Sequence, residues 1–252
     1  MNPEFLYRVY ERRLARQIRQ SQIPRHVGII LDGNRRWAKA LGTPAAHGHR
    51  KGADHITEVL GWVQEAGVSI VTLWMLSTDN LQRSAKEIRE LLAIIVGAVE
   101  QLAANPQWQI RVLGDLDLLP DDAAAALRAA AERTSAHDGM IVNVAIGYGG
   151  RQEITRAVQD YLREQAQSGA TLEEVASSIT VDAITNHMYT KGQPDPDLII
   201  RTSGEQRMSG FMLWQTVHTE LYFCETYWPD FRRTDLLRAL RDFSVRDRRK
   251  GK

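Results

Sequence analysis

"HVGIILDGNRRWAK", residues 26–39, sets the problem. An apolar run ends at Asp32, and Gly33 and Asn34 separate that carboxylate from Arg35, Arg36 and Trp37. "VGIIL" has the length and continuity of a strand buried on both faces, the pattern of a parallel sheet. Asp-Gly-Asn could turn a hairpin, but "RRWAKALG" lacks the alternation that a returning strand needs. A carboxylate at a strand end, followed at once by two cations, suits a ligand that is itself a metal-bound anion.

Outward from this stretch, strands and helices alternate. "SIVTLWML" (69–76), "WQIRVLG" (108–114), "MIVNVAIG" (140–147) and "DLIIRT" (197–202) read as strands, and "ELYFCE" (220–225) as a last one. Helical periodicity marks 51–67, where Gly67 stops the helix, then 84–105, 121–134, 151–166 and 234–249. Strands separated by helices imply a mainly parallel sheet covered on both faces, a single α/β domain. Before it, residues 1–22 place Leu6, Val9, Tyr10, Leu14 and Ile18 at helical spacing among arginines, an amphipathic helix. The domain proper is read as 23–252, and the helix is a candidate for packing on it or for peripheral contact with a membrane surface.

The bulk numbers narrow the field. At 252 residues, 43% apolar and 25% charged, the chain has the composition of a globular protein with a real core. Its one cysteine, Cys224, excludes an internal disulfide and a Cys-rich zinc site. No run approaches a membrane span and no signal peptide is visible, so a cytoplasmic location is expected. Net charge is only +1, but unevenly spread. Residues 1–25 hold six arginines against two glutamates, and 232–252 hold nine Lys or Arg against three Asp. Basic ends suit anionic lipid, nucleic acid or phosphorylated substrates, and equally a solvated face.

Four strands run into turns of one kind: "IILDGNRRW", "WMLSTDNLQRS", "VAIGYGGRQE" and "IIRTSGEQRMS". In a parallel sheet these strand ends share one edge, where ligands bind, and helix N-termini there attract anions. Gly147-Tyr-Gly-Gly150 is not G-x-G-x-x-G, and no P-loop occurs, so nucleotide folds are poorly supported. His47, His49 and His55 match no zinc spacing. His49, in a "HGHRKG" loop before a helix, is a candidate phosphate donor. Magnesium prefers one or two carboxylates plus phosphate oxygens, and Asp32 and Glu220 are the candidates. Residue pattern alone reaches a magnesium-diphosphate ligand in an α/β crevice.

Taken together, "HVGIILDGNRRWA", "STDNLQR", "NVAIGYGGRQEI" and "DPDLIIRTSGEQRMSGFMLWQ…ELYF…WPDF" resemble the cis-prenyltransferases, or Z-isoprenyl diphosphate synthases, from about Pro24 to the C-terminus. The resemblance implies an apolar tunnel beside the sheet and the condensation of isopentenyl diphosphate with an allylic diphosphate, with Mg²⁺ as cofactor. It implies a homodimer and no nucleic-acid partner. Asp32 matches the essential aspartate for metal and leaving group, and Gly33, Asn34, Arg35 and Arg36, with Trp37, match the loop around the allylic diphosphate. His49 matches a phosphate contact. Ser77, Thr78, Asp79, Asn80, Leu81 and Arg83 make the second motif, whose Asn80 is tied to removal of the C2 proton. Asp32, Asn80 through a water, or the departing diphosphate could each accept that proton. Arg201, Arg207, Met208 and Ser209 match the isopentenyl diphosphate site, and Glu220 a metal ligand. Arg249 and Gly251 resemble a C-terminal R-x-G that completes the partner's site.

Departures accompany the match. Arg35 stands where a glycine is usual, and Ala45 where many members have an arginine, so Arg35 or Arg50 is a candidate substitute. Asp79, Leu81 and Gln206 replace a glutamate, a tryptophan and a histidine. Met75 stands where long-chain members carry a small residue, and a bulky side chain would close the tunnel floor. Geranyl diphosphate as primer and (2Z,6E)-farnesyl diphosphate as product are therefore expected. A long-chain decaprenyl or undecaprenyl synthase is the alternative within the enzyme class. A non-catalytic accessory subunit is the alternative outside it, although such subunits typically lose the first-motif aspartate.

Overall fold

A computed structural model of the chain describes residues 3–19 and 22–246, with side chains from Tyr10 onward apart from Arg19. In chain order the elements begin α1 (Pro3–Arg19), β1 (His26–Ile30), α2 (Asn34–Ala40), α3 (Ala45–Glu65), β2 (Ile70–Ser77) and α4 (Ala85–Ala103). Next come β3 (Trp108–Leu113), α5 (Asp121–Arg133), β4 (Met140–Tyr148), α6 (Gly150–Gln167), α7 (Leu172–Ser178) and α8 (Val181–Thr185). The last three are β5 (Leu198–Arg201), β6 (Glu220–Phe223) and α9 (Arg233–Val245).

The six strands form one sheet in the order β3-β4-β2-β1-β5-β6, and every pairing is parallel. The apolar run of β1 follows from this: it has a strand on each side and all five residues are buried. Alternate residues serve opposite faces. Ile29, Leu73, Val144 and Ile200 join the larger core, with Leu60 of α3, Val99 of α4 and Leu240 of α9. Ile30, Ala145 and Ile199 face the other way and pack with Tyr148, Phe211 and Trp74. From β1 the chain leaves toward β2, whereas from β5 it leaves toward β6. The strand order therefore reverses between β1 and β5, and a crevice opens past their C-terminal ends.

Three local departures from the expected pattern have physical causes. The residues after Asp32 form a helix, α2, entered through Gly33 at φ 107°. "HGHRKG" is not a loop: α3 already begins at Ala45, behind Pro44. Gly48 and Gly52, one turn apart, let α3 and α2 nearly touch. A Cβ at either would lie 2.1 Å from an oxygen of Asn34. The third departure is the α7–α8 region, where Thr171 and Glu174 make a capping box.

Within α1, Leu14 and Ile18 are buried in the main core, and the helix packs on α9 with Arg238 over the Tyr10 ring at 5.4 Å. Those apolar residues are therefore not free for a membrane, while Leu6 and Val9 lie outside the described side chains. Among the described residues, no helix is long and apolar enough to cross a membrane.

Candidate active site

The crevice at the strand-order reversal is a cleft of about 900 Å³. Its floor is set by register. Ile30 of β1 pairs with both Trp74 of β2 and Arg201 of β5, so these three side chains share one face of the sheet. Asp32 lies two residues beyond. Thr202 fixes it there: its hydroxyl accepts the Asp32 N–H at 3.0 Å and donates to the Asp32 carbonyl at 2.7 Å.

Asp32 is then gripped from both sides. Arg201, 4% exposed, donates Nη2 to Oδ2 at 2.8 Å, and Arg36 donates Nη2 to Oδ1 at 3.2 Å. Burial pushes the Asp32 carboxyl up, but the hydrogen bond and charge of Arg201, with the charge of Arg36, more than offset this and hold it below its ordinary value. Arg201 also donates Nη1 to Ser209 Oγ at 2.8 Å and to the Arg207 carbonyl. Arg36 reaches Ser203 Oγ at 2.7 Å and Glu205 at 2.8 Å, and Arg207 pairs with the other Glu205 oxygen.

A second cationic group lines the opposite wall. Arg83 donates to Asn80 Oδ1 at 2.9 Å and to Glu87 at 3.1 Å, and Arg35 lies 3.9 Å from the same Glu87 oxygen. His49 faces this group, with Nε2 buried and unpartnered. Burial, then the charges of Arg83 and Arg35, lower its pKa to about 4, so the ring is neutral at pH 7. A neutral imidazole with a free nitrogen can still donate to a phosphate oxygen.

Between the two cationic walls the cleft is apolar, lined by Ile30, Leu31, Trp74, Met75, Leu76 and Leu91. Successive residues of β2 divide it. Trp74 lies on the Arg201 face, and Met75 packs against the core on the α3–α4 side. On that side Leu60 of α3 and Leu92, Ile95 and Val99 of α4 are buried in the same core that Met75 packs against.

The cleft thus gathers Asp32, Gly33, Asn34, Arg35, Arg36, His49, Met75, Ser77, Asn80, Arg83, Arg201 and Ser209. Other candidates do not line it. Trp37 turns away and stacks on His47 at 5.7 Å. Asn34, by contrast, lines the cleft, although its amide donates to the Leu31 carbonyl at 3.0 Å. The Thr78 backbone is tied to Tyr148, Asp79 points to solvent, and Leu81 and Met208 pack on the cores. Arg207 is exposed and reaches the site through its backbone and Glu205.

Glu220 does not line the cleft: it opens β6 in register with Leu198, at the N-terminal edge of the sheet, and pairs with Arg246. Arg249 and Gly251 lie outside the described residues. Glu205, Thr202 and Glu87 were missed, although Thr202 and Glu205 stand in the turn "RTSGEQR". Tyr227, over Arg36 at 5.7 Å, had no sequence signal.

Among the described residues no group of three or more His, Cys, Asp or Glu could hold a metal alone. The site offers instead one carboxylate ringed by arginines. That donor set fits a magnesium ion that completes its shell with diphosphate oxygens and water, and does not fit a resident ion in a protein cage.

Comparison with known proteins agrees with this chemistry. The family model for undecaprenyl diphosphate synthases matches residues 30–251. The (2Z,6E)-farnesyl diphosphate synthase of Thermobifida fusca is 54% identical over 247 residues, 98% of this chain and 97% of that protein. The short-chain Z-isoprenyl diphosphate synthase of Mycobacterium leprae is 50% identical over 99% of this chain and 97% of its own. Lavandulyl diphosphate synthase from Lavandula x intermedia, solved in complex with dimethylallyl diphosphate, superposes with a TM-score of 0.84 at 33% identity, covering 91% of this chain and 99% of that one. The chain therefore belongs to the undecaprenyl diphosphate synthase family of prenyltransferases, the cis-prenyltransferases.

Proposed function

We propose that the protein condenses isopentenyl diphosphate with geranyl diphosphate to give (2Z,6E)-farnesyl diphosphate and free diphosphate. One observation carries the chain length: the bulky side chains of Met75, Leu76 and Leu91 line the apolar part of the cleft, and Met75 packs against the core on the α3–α4 side. Relatives at 54% and 50% identity with short-chain names support it.

In this reading Arg35, Arg36 and the N-terminus of α2 hold the allylic diphosphate, with Arg83 and His49 across the cleft. Arg201, Ser209 and Arg207 hold isopentenyl diphosphate on the Trp74 side. Asp32 is the residue that would hold magnesium, which when bound supplies positive charge to the leaving diphosphate. The arginines stabilise the same charge as the allylic C1–O bond breaks, and the apolar lining beside them strengthens their effect. C4 of isopentenyl diphosphate then bonds to C1, and a proton leaves C2. Held by two arginines below its ordinary pKa, Asp32 is a weak base. The proton passes to the departed diphosphate, with Asn80 orienting the acceptor.

A homodimer fits the β6 edge, where half-buried Leu221, Tyr222 and Phe223 are flanked by exposed Val217 and Val245. Arg249 and Gly251 would then reach the partner's cleft.

The test is a product assay with Mg²⁺, labelled isopentenyl diphosphate and dimethylallyl, geranyl or farnesyl diphosphate as primer. A C15 product from geranyl diphosphate is expected. Chains of about fifty carbons would overturn the short-chain reading, and no product from any primer would indicate an accessory subunit.

A further inference from the structure

The loop after β5 carries Arg207 and Ser209 through an unusual path. Ser203, Ser209 and Met212 all have left-handed backbone, with φ of 78°, 50° and 48°. Residues with a Cβ hold such conformations only where their surroundings fix them. What fixes Met212 lies outside the cleft. Tyr148, the last residue of β4, is 1% exposed, and its hydroxyl accepts the Met212 N–H at 3.1 Å. The same hydroxyl donates to Oε2 of Glu153 at 2.5 Å. Glu153, in the first turn of α6 and 2% exposed, accepts with Oε1 from the Tyr189 N–H at 3.0 Å and Gln215 Nε2 at 3.1 Å. Beside them the Gly150 N–H donates to the Gly210 carbonyl at 2.9 Å.

A buried carboxyl is costly unless its hydrogen-bonding capacity is met. Here three donors meet it, and neither Glu153 nor Tyr148 lines the cleft. Substrate contact therefore does not account for this carboxyl. We propose that Tyr148 and Glu153 are positioning residues, a buried brace that sets the Arg207–Ser209 loop for isopentenyl diphosphate. The proposal rests on the reading of that loop given above.

The geometry supplies the route. Ser209, three residues from Met212, takes its hydrogen bond from Arg201 at 2.8 Å. Phe211 lies between them, fully buried, and stacks on Trp74 at 5.2 Å and 14°. Releasing Met212 would thus disturb both the polar end of the isopentenyl subsite and its aromatic floor. The residue types are specific. All three groups around Glu153 are donors, and only a carboxylate accepts from all of them. Glutamine would turn an N–H toward Tyr148 and leave the phenol proton without an acceptor. Phenylalanine at 148 would leave the Met212 N–H buried and unpaired. The allylic side, Arg35 and Arg83, takes no side-chain contact from the brace.

Steady-state kinetics of Tyr148→Phe and Glu153→Gln provide the test, with Ser209→Ala as the reference for the loop. KM for isopentenyl diphosphate should rise by roughly tenfold, the scale of an orphaned buried donor. KM for geranyl diphosphate should stay within about twofold, as expected when only one subsite is misplaced. The double variant Tyr148→Phe/Ser209→Ala should be no worse than the poorer single one, because both act through the same contact. Equal KM increases for both substrates, or additive effects, would overturn the brace. If Ser209→Ala alone left the isopentenyl KM unchanged, the assignment of the loop would fall instead. Should Tyr148→Phe not fold, Gln215→Met removes one donor at similar bulk, and it should raise the isopentenyl KM more than the geranyl KM. A Gln215→Met enzyme with both KM values unchanged would count against the brace.

Discussion

Asp32 and Arg201, 169 positions apart, form a 2.8 Å ion pair where the sheet reverses its strand order. Arg201 is almost fully buried there, and its charge is tolerable because Asp32, Ser209 and the Arg207 carbonyl surround it. The pair explains why a carboxylate belongs in a site for anions. It neutralises Arg201 and, in the proposed mechanism, would offer an oxygen to a metal that arrives with diphosphate. Asp32→Asn should lower kcat by about 10²–10³. Turnover at saturating Mg²⁺ checks this, and near-normal activity would remove Asp32 from the mechanism.

Met75 and Trp74 are neighbours in the chain and point to opposite faces of the sheet. Met75→Ala should therefore enlarge the cleft on the α3–α4 side and leave the Trp74 side as it is. Products longer than C15 are expected from geranyl diphosphate, with the isopentenyl KM unchanged. Mass analysis of the dephosphorylated products would reveal this. An unaltered product profile would mean that Leu91 or the α3–α4 packing sets the length.

Much of this arrangement was legible before any coordinates. "VGIIL" and "IIRT" read as buried strands because parallel strands lose their alternation, and the polar turns after them fell on one edge as the topology requires. What escaped depended on distance in the chain. Tyr227 over Arg36 and Glu205 between Arg36 and Arg207 are meetings that no local pattern encodes. The place of Glu220 was not legible either: β6 runs parallel to β5 and sets its first residue at the N-terminal edge of the sheet, away from the cleft. The α2–α3 region was misread because Gly48 and Gly52 look like loop residues, although they serve helix contact.

His26 predicts how stability responds to acid. It is fully buried, donates Nδ1–H to the Pro194 carbonyl at 2.8 Å and accepts from Thr72 Oγ1 at 2.8 Å. Thr72 in turn accepts from Asn143 at 2.9 Å, so the chain of donors has room only for a neutral imidazole. Burial lowers the His26 pKa to about 4, against 6.5 in the unfolded chain. Between those values the unfolded state binds more protons. The stabilisation is complete above pH 6.5, falls as pH drops toward 4, and changes little below that. The total is about 3 kcal/mol. Urea midpoints measured from pH 7.5 to 4.5 should decline accordingly. His26→Gln should be less stable at pH 7 and show a shallower decline. An unchanged slope in that variant would assign the acid sensitivity to other groups, His49 first among them.

Gly52 and Gly61 lie on the same helix and should respond oppositely to one added methyl. At Gly52 a Cβ would meet Asn34 Oδ1 at 2.1 Å and Trp228 Cδ1 at 2.8 Å, so the packed Trp228 side chain and that of Asn34 at the start of α2 must shift. Overpacking of this kind costs about 1–3 kcal/mol. Because α2 opens with Asn34, Arg35 and Arg36, the shift should also reduce kcat/KM. At Gly61 nothing lies within 4 Å, and alanine should add up to about 1 kcal/mol through helix propensity. Thermal melts of the two variants, a few degrees down and a few degrees up, check the pair. If Gly52→Ala melted with the wild type and kept its kcat/KM, the close approach of α2 and α3 would not be what positions the arginines.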